Sequence, residues 1–86
     1  MEYVADIVVT LKKSILDPQG DAVRSALRSM GYDGVLDVRI GKRIEVRLEA
    51  AGEAECRKTV DEMCARLLAN TVVEAYDFSI REAPRG

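Results

Sequence analysis

Between residues 36 and 49 the apolar side chains hold one parity and the charged ones the other. Leu36, Val38, Ile40, Ile44, Val46 and Leu48 are even-numbered; Asp37, Arg39, Arg43, Glu45, Arg47 and Glu49 are odd. Only Gly41 and Lys42 interrupt the pattern, and its phase is the same on both sides of them. Period two is the signature of a strand with one buried face. A two-residue hairpin loop would set Ile40 opposite Arg43 and mix the faces. Two arrangements keep them apart. One is a hairpin with the three-residue loop Gly41-Lys42-Arg43. The other is one strand of about fifteen residues bent at Gly41, which at about 3.3 Å per residue runs roughly 50 Å. Such a strand outreaches a small domain and asks for a second chain at its far end. The alternation does not choose between them.

The rest of the chain supplies partners for this segment. Tyr3, Ala5, Ile7, Val9 and Leu11 alternate with Val4, Asp6, Val8 and Thr10, giving a strand with one firmly apolar face. Asp17-Pro18 announces a helix: Asp17 caps it, and Pro18 suits the first position because its missing N–H has no partner there. Ala22, Val23, Ala26, Leu27 and Met30 follow at helical spacing, and Gly31 stops the helix. Residues 53–69 form a second helix with Cys56, Val60, Met63, Cys64, Leu67 and Leu68 on its apolar face and Asn70 as its stop. A last strand carries Val72, Tyr76, Phe78 and Ile80 in phase, with Glu74 breaking that face near its start.

The order is strand, helix, strand (one long or two short), helix, strand. It predicts an α+β fold of ferredoxin-like βαββαβ layout, with two helices on one face of an antiparallel sheet. Residues 1–82 make one domain and 83–86, Ala-Pro-Arg-Gly, a tail. With 86 residues the core is thin, and oligomerisation is one common remedy.

Chemistry is sparse. The chain has no His, which removes the commonest general base and metal ligand. Its two cysteines, Cys56 and Cys64, would lie about 12 Å apart on one helix, too far for a disulfide, and read as core residues. No phosphate-binding glycine loop is present, so no catalytic, cofactor or metal site is expected. Asp37, Glu45 and Glu49 interleave with Arg39, Arg43 and Arg47 as a charge ladder, which cross-strand pairing explains. Gly20, in the first turn of the first helix, is not explained by capping; a close approach by another chain would explain it. The formal net charge of −2, with no basic run, argues against nucleic acid. No segment reaches the roughly 20 apolar residues of a membrane span, and Met1-Glu2-Tyr3 does not open a signal peptide, so a cytoplasmic location is expected.

Three stretches in register resemble the PurS family, the small subunits of phosphoribosylformylglycinamidine synthase. They are Ser14-Ile15-Leu16-Asp17-Pro18-Gln19-Gly20, Val38-Arg39-Ile40-Gly41-Lys42, and Cys64-Ala65-Arg66-Leu67-Leu68-Ala69-Asn70-Thr71-Val72-Val73-Glu74. With their spacing, the resemblance runs from Tyr3 to Ile80. It implies a non-catalytic subunit that self-associates as a homodimer or tetramer, its ferredoxin-like layout completed between chains. The implied partners are a large synthetase subunit and a glutaminase subunit, which this chain bridges while assisting ammonia transfer. The complex would use ATP, magnesium and glutamine to turn formylglycinamide ribonucleotide into the amidine in purine biosynthesis. Polar exposure together with the resemblance points to Asp17, Gln19, Gly20, Arg39, Lys42 and Arg43 as interface residues. The competing reading is an ACT-like regulatory module that binds small ligands. That fold has the same element order but expects a Gly-rich turn after the first strand, where this chain has Lys12-Lys13-Ser14-Ile15-Leu16.

Overall fold

The computed structural model describes residues 1–83. Its elements are β1 (Glu2–Leu11), α1 (Pro18–Ser29), β2 (Gly41–Glu49), α2 (Glu53–Met63), a π-helical turn (Cys64–Leu68) that continues α2, and β3 (Glu74–Glu82). The strands form one antiparallel sheet in the order β2-β1-β3.

β1 is central because its odd face is apolar along its whole length. Tyr3, Ala5, Ile7 and Val9 are buried. Ile7 lies between Ile44 on β2 and Phe78 on β3, and Ala5 between Val46 and Ile80. The parity read from the sequence thus sets the register, and every even residue of β2 from Ile44 to Leu48 meets the apolar face. α2 closes this face with Cys56 and Val60, and its π-helical continuation with Cys64, all fully buried. Tyr76 on β3 donates its hydroxyl to Asp61 on α2 at 2.7 Å and fixes the helix over that side of the sheet.

Residues 35–40 settle the hairpin question. They join no strand ladder, so the three-residue hairpin does not form among the described residues; pairing starts at Gly41, which faces Thr10. We call residues 35–40 the arm. Val72 also departs from expectation: it lies in the turn before β3 and is 79% exposed. The Asn70 side chain accepts the Val72 N–H, and Glu74 accepts the Asn70 N–H, so two side chains hold a turn where alternation alone suggested a strand. Of the expected tail, Ala83 still donates its N–H to the Glu2 carbonyl at 2.9 Å, and 84–86 lie outside the described residues.

The chain is more extended than its length requires. Its radius of gyration is 16.7 Å, against about 12 Å for a compact domain of this size. Its accessible surface is 6145 Å², against about 5000 Å² for a folded monomer of this mass.

Candidate functional site

The excess surface has a definite place. α1 caps as expected: Asp17 Oδ1 accepts the Gly20 N–H at 2.9 Å, and Gly31 ends the helix with φ of 98°. Yet its apolar stripe does not reach the core. Val23 is 39% and Met30 69% exposed, and Gly20 is the only buried residue of the helix. α1 lies instead along the arm. Arg28 donates to the Val35 carbonyl at 3.1 Å, and Asp17 Oδ2 accepts the Ile40 N–H at 2.8 Å. A Cβ on Gly20 would collide with the Val38 carbonyl. The close approach that Gly20 permits is therefore made by this chain's own arm. On the arm Leu36 is 80% exposed.

Over the sheet, the complementary space is empty. Ile44, Val46 and Leu48 on β2 are only half-buried, as are Tyr76, Phe78 and Ile80 on β3. Between α2, its π-helical continuation and β2 runs an open, mainly apolar groove of 530 Å³, lined by Val46, Met63, Leu67 and Leu68, with Thr59, Glu62 and Arg66 on its polar parts. The outer edge of β2 is unpaired among the described residues.

The residues expected at interfaces divide into two groups. Asp17 and Gly20 are buried within the chain, and the Arg39 guanidinium is committed to backbone carbonyls of Leu11 and Lys12 at 3.1 and 2.9 Å. Gln19 and Lys42 are exposed and line a 300 Å³ cavity with Thr10, Asp17, Gly41 and Glu74. Arg43 is exposed on the solvent face, where it pairs with Asp6. Part of the anticipated charge ladder lies on that face, with β1 adding acids: Arg43 also lies 3.8 Å from Glu45, Arg47 bonds Glu2 at 2.7 Å, and Arg81 reaches Asp6 at 3.9 Å, whereas Asp37 and Arg39 sit on the arm with backbone partners.

Electrostatics mark no nucleophile. Burial pushes both the Cys56 and the Cys64 thiols up, away from the reactive thiolate. The Tyr76 phenol is raised chiefly by its bond to Asp61. The Ile40 and Gly20 N–H bonds hold the Asp17 carboxyl below the usual range. Among the described residues no three Cys, Asp or Glu side chains converge on a metal position, and no helix is long and apolar enough to cross a membrane. The geometry offers surfaces for another chain.

Comparison with known proteins places the chain in a family. The family model for PurS, phosphoribosylformylglycinamidine (FGAM) synthase, matches residues 4–82. The phosphoribosylformylglycinamidine synthase subunit PurS of Synechocystis sp. is 56% identical over 78 residues, covering 91% of this chain and 78% of the relative. That of Bacillus subtilis is 49% identical over 80 residues, covering 93% and 94%. Among solved structures, B. subtilis PurS superposes with a TM-score of 0.83 over 93% of this chain and 99% of that one. A chain of the PurLQS structure from Thermotoga maritima, 28% identical, superposes with a TM-score of 0.86 over 94% and 99%. These matches do not favour the ACT-like reading. The chain belongs to the PurS family of phosphoribosylformylglycinamidine synthase subunits.

Proposed function

We propose that this chain works as a self-associated, non-catalytic small subunit of phosphoribosylformylglycinamidine synthase, bridging the synthetase and glutaminase subunits and assisting ammonia transfer between them in purine biosynthesis. ATP, magnesium and glutamine are handled by those larger subunits. The solved relative from Thermotoga maritima described as PurLQS supports the assembly.

The observation that carries the self-association is the mismatch between α1 and the groove. An apolar helix stripe without a sheet and an apolar sheet edge without a helix occur in the same chain. In a second copy, the stripe of Val23 and Met30 fills the groove over Val46 and Met63, and the arm pairs with the open edge of β2. The excess surface of about 1100 Å² exceeds the roughly 800 Å² per partner that a stable interface needs.

Reconstitution tests the subunit role. The synthetase and glutaminase subunits are assayed with and without this chain for amidine formation. Glutamine-dependent activity should require the chain, whereas activity with free ammonia should survive its omission. Equal glutamine-dependent rates with and without it would overturn the proposal.

A further inference from the structure

The junction between the arm and the loop after β1 is held by two side chains that act in opposite senses. Asp17 caps α1 with one carboxylate oxygen. Its other oxygen accepts the Ile40 N–H, 23 residues downstream. A helix cap needs only the first of these bonds. In return, Arg39 sends its guanidinium back across the junction to the carbonyls of Leu11 and Lys12, and at 3.4 Å to that of Ile15. The loop thus supplies the acceptor for the arm's amide, and the arm supplies the donor for the loop's carbonyls. Asp17 is 5% exposed. The Val38 carbonyl rests on Gly20, where any side chain would hold the strands of the junction apart.

None of this stabilises the core directly. The buried cluster is built from β1, α2 and its continuation, with β2 and β3 packed against it, and no residue of α1 or the arm belongs to it. We propose that Asp17 and Arg39 form an intrachain brace that pre-sets α1 and the arm as one rigid unit for docking onto a second copy of this chain. The inference rests on the self-association reading above and adds what prepares the docking element. Ordering the arm before encounter removes that entropy cost from the binding step, which is the general basis of pre-organisation.

The test uses the full chain and reads two properties: self-association by sedimentation equilibrium, and amide hydrogen exchange at Ile40 and along β1. Asp17→Asn keeps an oxygen for the helix cap but loses the second anionic acceptor. It should weaken self-association at least tenfold and speed exchange at Ile40, with β1 protection unchanged. Arg39→Lys keeps the charge, loses the fork that spans several carbonyls, and should weaken association less. Asp37→Asn is the control, because Asp37 accepts only the neighbouring Val38 N–H and bridges nothing. It should leave both readouts at wild-type values. A wild-type chain that is monomeric at tens of micromolar overturns the self-association reading and the brace with it. An associating wild type whose Asp17→Asn variant associates within twofold overturns the brace alone. So does a loss of β1 protection in step with Ile40, which would make Asp17 a general stabiliser.

Discussion

α1 and α2 carry the same kind of amphipathic pattern and meet different fates. α2 and its π-helical continuation lay Cys56, Val60 and Cys64 onto the sheet and bury each completely. α1, with an N-cap made by its own side chain that α2 lacks, leaves Met30 and much of Val23 in solvent. Local quality therefore does not decide which helix packs. Reach does: α2 is joined to β2 by a short connection and folds back at once. α1 is held to the arm by Arg28 on Val35 and by its cap Asp17 on Ile40. An apolar stripe says that something must cover it; whether the cover lies in the same chain is decided elsewhere.

This contrast can be strained at both ends. Ile7→Ala strikes the region that α2 covers and should cost about 2–5 kcal/mol in urea unfolding. The loss should be the same at low and high protein concentration, since Ile7 lies wholly inside one chain. Leu36→Asp strikes the other region. It should leave the unfolding free energy of the isolated chain nearly unchanged while weakening self-association by at least tenfold, about 1.4 kcal/mol, in sedimentation equilibrium. If Leu36→Asp instead unfolds the isolated chain, the two regions are not separate and the contrast fails. Asp17 sharpens the comparison through pH. Its folded pKa is lowered, so its contribution is fully present above the ordinary value of 3.8 and is lost as pH falls through the lower, folded value. The difference in Ile40 amide protection between wild type and Asp17→Asn should therefore be constant near neutrality and shrink as pH falls from 3.8 through the folded value. The smallest effect belongs to the exposed pair of Arg57 with Glu53, 3.1 Å apart on α2. Arg57→Ala should change stability by less than about 0.5 kcal/mol, which thermal unfolding would register as near silence.

Much of the fold is legible in the sequence because it depends on parity and on local caps. The odd face of β1, the even face of β2, the Asp17-Pro18 start and the Gly31 stop all stand where residue type places them. The hairpin alternative was open because strand parity is blind to the identity of the pairing partner: Leu36 and Val38 alternate equally well beside their own chain or another. Gly20 signalled a close approach, but which backbone comes near is a three-dimensional fact. Of the candidate interface residues, Arg39 is the least readable. Its fork meets carbonyls of Leu11, Lys12 and Ile15, and backbone carbonyls leave no trace in side-chain pattern. Val72 matched the phase of β3 and still turned away, because Asn70 and Glu74 give the backbone a competing set of hydrogen bonds.

The π-helical turn after α2 has a consequence of its own. The Ala69 N–H reaches back five residues to the Cys64 carbonyl, at 3.0 Å, instead of four. In effect, one surplus residue is accommodated without leaving the helix. Continued as an ordinary α-helix, the turn would bring Leu67 round to the line of Cys56, Val60 and Cys64. The surplus hands that place to Leu68, which packs against the core, and turns Leu67 outward to 83% exposure. The helix thus behaves like text with one inserted letter, its frame shifted from that point on. Excising Ala65 would restore an ordinary α-helix and carry Leu68 into the place counted as 67, on the line of Cys56, Val60 and Cys64, so the same leucine stays in the core and Leu67 stays outward.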